Sequence, residues 1–258
     1  MQNRAGIVES LIKGDGRSGI VMDFDGVLSP IVDDPAASRL PADLVPTLER
    51  LVKRLDVVAL LSGRPVDFLA ERVPVPGLVL LGSYGLERRV EGSTLVRPDV
   101  AQWLARVREA EVLLTDQLAP VPGVHIESKS VAVAVHWRNA ADRGTVGQLV
   151  NEVVARVAAS TGLGQEPGKL VQELRPPLPV DKGTSLRELI GEERLDVVAY
   201  AGDDKGDLPA FAAVGAAGGY ALVVHGNETA PEVAAVAGTH FEGPEDFASW
   251  LEVLSQAD

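Results

Sequence analysis

The chain contains no cysteine, few aromatic residues and no long apolar run. Without cysteine, neither a disulfide framework nor a thiolate metal site can form. No stretch approaches the roughly 20 apolar residues that span a bilayer. Residues 1–18 are mixed polar and lack the apolar core of a signal peptide. We therefore expect a soluble, cytoplasmic protein with no membrane partner.

Acidic residues outnumber basic ones, and the formal net charge of −13 argues against a nucleic-acid or anionic-membrane surface. A local cluster of lysine and arginine could still meet an anionic substrate. With 258 residues, 46% of them apolar, the chain suits one large α/β domain or a core with a smaller second domain. Scarce aromatics and abundant valine, alanine and leucine favour parallel strands covered by helices on both faces.

Short β-branched runs alternate with amphipathic segments, which predicts βαβ units and a parallel sheet. The predicted core strands are Ile20–Phe24, Val57–Leu61, Leu78–Leu81, Val197–Ala201 and Ala221–Val224. A leucine-rich stripe at helical spacing predicts the first core helix, over residues 44–55. The other predicted core helices are Ser185–Ile190, Leu208–Val214, Pro231–Val236 and Pro244–Leu254. The fold class is therefore α/β.

The middle of the chain has a different pattern, which predicts an α+β insertion over residues 103–174 between two core segments, 1–102 and 175–258. Its predicted elements are a helix at Trp103–Leu118, strands at Val124–Ser128 and Val131–Trp137, a helix at Thr145–Ala159 and a strand at Leu170–Leu174. The two strands of the hairpin alternate apolar and polar residues, as expected when one face meets solvent or a ligand.

Two carboxylates, Asp23 and Asp25, follow the first predicted strand, and Ser62 and Asp203 each follow another. Ligands of open α/β sheets bind outside the carboxyl ends of the strands, so we expect these groups at one edge. Asp23 is the candidate nucleophile, forming an aspartyl phosphate, and Asp25 the candidate acid and base. The alternative is a simple turn, since Asp and Gly favour turns.

A magnesium ion is the cofactor that these carboxylates predict. Mg²⁺ takes one or two carboxylates together with phosphate oxygens and water, so Asp23 and Asp203 suffice, with the main-chain carbonyl of Asp25 as a further ligand. Asp204 and Asp207 would lie behind these direct ligands. The alternative is a helix N-terminus that carries aspartates as caps.

The phosphate group itself needs donors and positive charge. Ser62 and the backbone N–H of Gly63 could bind a phosphate oxygen, and Lys182 could neutralise both the phosphate and Asp23. Arg64 completes this candidate phosphate-binding set. Ser-Gly-Arg is also common in ordinary turns, and a lysine at the start of a helix is often solvated. An ordinary turn at Ser62–Arg64 and a solvated Lys182 are therefore the alternative interpretations.

The order of these motifs resembles that of the haloacid dehalogenase superfamily of phosphatases. More narrowly, the chain resembles trehalose-6-phosphate phosphatases through segments in the core and in the insertion, at residues 28–35, 62–65, 82–87, 126–129, 136–139 and 168–176. The resemblance implies a Rossmann-like core with a mobile inserted cap. It also implies that cap residues hold the disaccharide: Glu127, Lys129, Arg138, Lys169 and Glu173. Val27 departs from the usual threonine, and Tyr84 from the usual histidine.

The leading hypothesis is hydrolysis of trehalose 6-phosphate through an aspartyl phosphate, with a small sugar phosphate as the partner and a monomer as the expected assembly. Another sugar phosphate is the alternative substrate: sucrose phosphate, a glycosyl phosphoglycerate or a cyclitol-containing analogue. A third hypothesis is a non-catalytic sugar-phosphate sensor. A sensor needs no proton carrier, so the presence of Asp25 argues against it.

Overall fold

The computed structural model describes residues 3–32, 35–168, 170–226 and 229–257. The chain forms two compact units. The larger comprises Met1–Leu95 and Val180–Asp258, and the smaller comprises Val96–Pro179. The predicted insertion, residues 103–174, falls within the smaller unit.

The helices and strands alternate through much of the described chain. The helices are α1 (Arg4–Lys13), α2 (Val45–Val52), α3 (Val66–Arg72), α4 (Pro98–Ala101), α5 (Leu104–Leu118), α6 (Arg143–Thr161), α7 (Lys182–Glu193), α8 (Leu208–Ala216), α9 (Pro231–Ala234) and α10 (Pro244–Gln256). The strands are β1 (Ser18–Met22), β2 (Val57–Leu61), β3 (Val79–Gly82), β4 (Glu87–Val90), β5 (Ser93–Val96), β6 (His125–Ser128), β7 (Val133–His136), β8 (Gly164–Gly168), β9 (Val171–Arg175), β10 (Val197–Gly202), β11 (Tyr220–Val224) and β12 (Thr239–Phe241).

The larger unit is built on one sheet with strand order β12-β11-β10-β1-β2-β3-β4-β5. Its strands pair in parallel from β12 to β3, and β4 pairs antiparallel to β3. From β1 the chain moves outward to β2 and β3, and it later returns to β10 on the other side. The order therefore reverses between β1 and β10, where open α/β sheets bind their ligands.

Apolar side chains cover both faces of this sheet. Ile7 of α1, Leu48 of α2 and Leu251 of α10 pack on one face. Leu186 of α7 and Phe211 of α8 pack on the other. Burying each such side chain contributes roughly 1.5–3 kcal/mol. The apolar runs of β1 and β2, buried along their whole length, follow from this two-sided cover.

The smaller unit is a four-stranded antiparallel sheet of order β6-β7-β9-β8, with α5 and α6 packed on one face. Val133, Val135 and Leu174 point into that core. Residues directly opposite one another share a face, so the register places Glu127 and Glu173 together on the other face. The predicted hairpin is present as β6 and β7. Its polar face lies opposite the face on which α5 and α6 pack.

Some element ends differ from the prediction. Strand β1 begins and ends two residues before the predicted Ile20–Phe24, so Asp23 lies directly after it. Helix α7 begins at Lys182 rather than Ser185, because Asp181 and Thr184 form a capping box there. Helices α1, α3 and α4 and strands β4, β5, β8 and β12 were not predicted. None of the helices in the described ranges combines the length and hydropathy needed to cross a bilayer.

Candidate active site

The site begins where β1 ends. Asp23 is 6% exposed, and its backbone N–H donates to the carbonyl of Ala201 in β10 at 2.9 Å. Gly26 then turns the chain with a φ of +77°, which glycine adopts without strain. A Cβ on Gly26 would lie 2.0 Å from Oδ2 of Asp203. Both the turn and the close approach of Asp203 therefore require glycine at this position.

Asp23 has one donor on each carboxylate oxygen. The N–H of Phe24 donates to Oδ1 at 2.6 Å, and Nζ of Lys182 donates to Oδ2 at 2.7 Å. Lys182 comes from the first turn of α7 and is 3% exposed. Burial raises the pKa of Asp23 to about 7, against the lowering effect of Lys182. The structure thus brings the predicted nucleophile and the predicted lysine into direct contact.

Asp207 is fully buried and is the second partner of Lys182, whose Nζ lies 2.7 Å from its Oδ1. The hydroxyl of Tyr200 donates to the same oxygen at 2.5 Å, and the N–H groups of Asp203 and Asp204 donate to Oδ2. Burial acts to raise the pKa of Asp207, but the lysine and the tyrosine lower it overall. Each oxygen of Asp207 already accepts two hydrogen bonds, whereas each oxygen of Asp23 accepts one, so Asp23 has more capacity left for a cation and Asp207 anchors Lys182.

Lys182 itself stays protonated in this setting. Burial acts to lower its pKa, but the carboxylates of Asp207 and Asp23 raise the pKa well above its ordinary value. A buried ammonium that is held by two carboxylates is a fixed positive charge. It can therefore stabilise negative charge that develops beside Asp23.

Asp203 follows β10 and is 8% exposed. One carboxylate oxygen each of Asp23, Asp203 and Asp207 lie within 4.8 Å of one another. Burial raises the pKa of Asp203 to about 8, and the charge of Asp23 adds to the effect. Burial and the neighbouring carboxylates thus disfavour the charged forms of Asp23 and Asp203, and buried oxygen ligands of this kind fit a hard divalent cation.

The remaining ligand predicted from the sequence is the main-chain oxygen of Asp25. In the described part of the chain no donor is hydrogen-bonded to that oxygen. Asp204 has another task, since its carboxylate accepts from Gly206 at 2.8 Å and caps the 3-10 turn Lys205–Asp207. Asp23, Asp203 and the carbonyl of Asp25 are therefore the residues that could hold the metal.

The carboxylate of Asp25 lies among three donors. Nε of Arg64 donates to Oδ2 at 2.7 Å, Nη2 of Arg64 to Oδ1 at 3.1 Å, and Oγ of Ser38 to Oδ1 at 2.6 Å. The guanidinium of Arg64 also stacks over Phe68, 4.5 Å from the ring centroid. Arg64, predicted to bind phosphate or substrate, thus orients the candidate acid in this structure.

Ser62 and Gly63 follow β2, at the same edge of the sheet. Ser62 is 2% exposed, and its Oγ accepts the N–H of Arg64 at 3.3 Å. Among the described residues the N–H of Gly63 has no hydrogen-bond partner. That free donor beside a hydroxyl is the arrangement that a phosphate oxygen requires.

In the smaller unit, the predicted sugar-binding residues Glu127, Lys129 and Glu173 form one ionic chain. Lys129 is hydrogen-bonded to Glu173, and its Nζ lies 4.0 Å from Oε2 of Glu127. Nε2 of His136 lies 2.8 Å from the same Oε2. Arg138 is exposed, two residues after β7. Lys169 lies outside the described residues.

The sequence analysis assigned no role to four side chains: Ser38, Glu87, His136 and Tyr200. Glu87 and His136 lie in segments that carry the family resemblance, yet nothing in the sequence shows that Glu87 is only 1% exposed. Ser38 contacts Asp25, and Tyr200 lies in an apolar strand, a pattern that predicts a core residue. A polar residue inside an otherwise apolar run was the available signal for Tyr200, because a buried hydroxyl needs a partner.

The family model of trehalose-phosphatase matches residues 21–237. The trehalose-phosphate phosphatase of Mycobacterium marinum is 39% identical over 231 residues, which are 86% of this chain and 58% of that protein. The chain therefore spans less than two thirds of that curated relative.

Two solved structures share the fold. A trehalose-6-phosphate phosphatase related protein has a TM-score of 0.76 at 24% identity, over 92% of this chain and 97% of that one. The C-terminal domain of Candida albicans trehalose-6-phosphate phosphatase has a TM-score of 0.73 at 23% identity, over 98% and 96%. At these identities the likeness concerns the fold, whereas the family match spans most of the sequence. This chain belongs to the trehalose-phosphatase family.

Proposed function

We propose that this chain hydrolyses trehalose 6-phosphate to trehalose and inorganic phosphate through an aspartyl phosphate on Asp23. The observation that carries the proposal is the contact of Asp23 with the buried ammonium of Lys182, beside Asp203, at the reversal point of the sheet. Membership of the trehalose-phosphatase family supports the choice of substrate.

In the first half-reaction, an oxygen of Asp23 attacks phosphorus while the bond from phosphorus to the sugar oxygen breaks. Asp25 gives its proton to that leaving oxygen. In the second half-reaction, Asp25 takes a proton from water, whose oxygen attacks phosphorus and frees Asp23 and inorganic phosphate. Lys182 stabilises the negative charge in both steps, and Arg64 and Ser38 keep the Asp25 carboxyl in one orientation.

Mg²⁺ is the cofactor in this proposal, held by Asp23, Asp203 and the main-chain oxygen of Asp25. When bound, it would neutralise phosphate charge and align the phosphoryl group. The raised pKa values of Asp23 and Asp203 support this assignment, because burial and then the neighbouring carboxylates disfavour the charged forms, and a bound cation would offset both effects.

The smaller unit is the cap in this proposal, with the disaccharide bound by Glu127, Lys129, Arg138, Lys169 and Glu173. Sugars offer hydroxyl groups, and the charged face of its sheet carries the donors and acceptors that hydroxyls need. The proposal also includes a monomer and a cytoplasmic location. The chain has no cysteine and so cannot form the disulfides that an oxidising compartment would favour.

The test is phosphate release from trehalose 6-phosphate, sucrose 6-phosphate, a glucosyl phosphoglycerate and p-nitrophenyl phosphate, each with Mg²⁺ and with EDTA. We expect the highest kcat/KM for trehalose 6-phosphate and no turnover in EDTA. A higher kcat/KM for another sugar phosphate would replace the substrate, and turnover of none of them would refute the phosphatase assignment.

A further inference from the structure

The turn Ser83–Gly85 lies against the loop that follows β2. The N–H of Tyr84 donates to the carbonyl of Ser62 at 2.9 Å, and the N–H of Ser83 donates to the carbonyl of Arg64 at 2.8 Å. Ser83 and Tyr84 have φ values of 50° and 62°. Residues other than glycine adopt this left-handed backbone conformation only at a cost in free energy. Such a turn persists only where its surroundings hold it.

Glu87 is the side chain that holds the turn to the loop. It is 1% exposed, and its Oε2 accepts from the hydroxyl of Ser83 at 2.8 Å and from the N–H of Val66 at 3.1 Å. Ser83 belongs to the turn, and Val66 is the first residue of α3, directly after the Ser62–Pro65 loop. Burying a carboxylate costs several kcal/mol unless its oxygens are hydrogen-bonded, so hydrogen bonds of this kind are needed to keep Glu87 buried.

The contact from Tyr84 determines where the neighbouring N–H points. In a planar trans peptide the C=O and N–H groups point in opposite directions. Because the carbonyl of Ser62 faces the N–H of Tyr84, the N–H of Gly63 in the same peptide is directed away from the turn. This is the N–H group that has no partner among the described residues and is assigned to the phosphate.

The same turn reaches the lysine on the other side of the site. Oγ of Ser185, one helical turn after Lys182 in α7, donates to the carbonyl of Tyr84 at 2.7 Å. The turn also leaves no space for a side chain at residue 63, since a Cβ there would lie 2.9 Å from Cζ of Tyr84. One turn therefore contacts both the candidate phosphate loop and the helix of Lys182.

We propose that Glu87 is a positioning residue for phosphoryl transfer: by binding Ser83 and Val66 it fixes the loop that presents the N–H of Gly63 to the phosphate group. This inference rests on the proposed phosphatase function and adds a residue to it. Glu87 acts through the loop and does not itself touch the substrate.

The test compares two replacements of Glu87. Glu87→Met has a similar size and no acceptor, whereas Glu87→Gln keeps one oxygen that can accept both hydrogen bonds. We expect Glu87→Met to lower kcat/KM for p-nitrophenyl phosphate and to weaken inhibition by orthovanadate, each by roughly tenfold or more. Complete loss of an oxyanion donor, which costs about 10²–10³-fold, sets the upper limit. Glu87→Gln should stay within about threefold of the wild type, since neutral acceptors hold the same geometry.

Asp142→Ala is the matched control, because alanine, like the methionine of Glu87→Met, offers no acceptor. Asp142 also accepts a helix-start N–H and a hydroxyl, both from Thr145, but in the smaller unit. Its replacement should leave orthovanadate inhibition within about twofold, in line with the loss of one exposed helix cap. Unfolding temperatures measured for all variants separate a stability loss from a positioning loss.

A Glu87→Met protein with a lower unfolding temperature and unchanged orthovanadate affinity would overturn the inference. If that variant does not fold, Ser83→Ala carries the test through the ¹⁵N chemical shift of the Gly63 amide on adding orthovanadate. The shift change should be large in the wild type and smaller in Ser83→Ala, and equal changes would refute the role of the contact. These probes report only the phosphate site, so failure to hydrolyse trehalose 6-phosphate would reject the proposed substrate and leave this comparison standing.

Discussion

Nζ of Lys182 lies 2.7 Å from Oδ2 of Asp23, although 159 residues separate them in the chain. Lys182 also binds Asp207, so its charge is not tied to Asp23 alone. Removal of the carboxylate of Asp23 leaves the ammonium of Lys182 in contact with Asp207. The role of Asp23 can therefore be tested by mutation separately from that of Lys182.

Asp23→Asn should abolish phosphate release, by roughly 10³-fold or more, because an amide cannot form the acyl phosphate. The fold should survive, since the variant removes a buried carboxylate whose pKa is already raised to about 7 and leaves the Lys182–Asp207 pair intact. The measurement is steady-state phosphate release together with the unfolding temperature. Release at the wild-type rate would reject Asp23 as the nucleophile.

Asp203→Asn and Asp207→Asn should differ in their effect on the magnesium requirement. Asp203 is assigned to the cation, so its replacement should raise the Mg²⁺ concentration for half-maximal activity by about tenfold or more. Asp207 is occupied by four donors, so its replacement should mainly destabilise the protein, by about 3–5 kcal/mol for a broken buried pair.

The measurements for this pair are Mg²⁺ titrations of activity and urea unfolding of both variants. At a temperature where both are folded, the Mg²⁺ dependence of Asp207→Asn should stay near that of the wild type. A large change in its Mg²⁺ constant, with little change in stability, would make Asp207 a metal ligand instead.

The sequence alone predicts that Asp23 and Asp203 lie close together, but it does not predict the partners of Asp207. Contiguous apolar runs before Asp23 and Asp203 predict buried strands, and the carboxyl ends of parallel strands meet at one edge, so their proximity followed from local pattern. The partners of Asp207 did not follow, because Tyr200 and Lys182 reach it through tertiary packing. Glu87 is similar, since its contact with Val66 across 21 residues depends on how β3 and β4 pair.

The metal-free protein should lose stability as the pH rises from about 5 to 8. Burial raises the pKa values of Asp23 and Asp203 to about 7 and about 8, whereas the unfolded chain releases these protons near pH 4. In that window the folded state binds more protons than the unfolded state, so the free energy of unfolding falls with pH. Asp207 has a lowered pKa and contributes its stability above the unfolded value, so its change falls at lower pH.

Scanning calorimetry in EDTA between pH 5 and 8.5 measures this effect. Mg²⁺ should reduce the decline, since a bound cation balances the two carboxylates, and Asp203→Asn should reduce it in EDTA because one raised group is gone. An unfolding temperature that rises between pH 6 and 8 in EDTA would contradict the assigned charge imbalance.

The polar face of the smaller unit should affect sugar selectivity and not phosphoryl chemistry. Glu127→Gln and Glu173→Gln each remove a charge from the ionic chain through Lys129. Losing a hydrogen bond to a charged group costs about 1.5–3 kcal/mol, so kcat/KM for trehalose 6-phosphate should fall by roughly tenfold or more. Turnover of p-nitrophenyl phosphate, which has no sugar, should remain within about twofold.

Glu109→Gln is the control for this pair, because Glu109 lies on α5 in an exposed ion pair with Arg106 that contributes little. It should leave both substrates unchanged. Equal losses on the two substrates in Glu127→Gln and Glu173→Gln would show that these residues support the fold or the chemistry in general. A loss confined to trehalose 6-phosphate would instead assign them to the disaccharide, because only that substrate carries the hydroxyls that the charged face can bind.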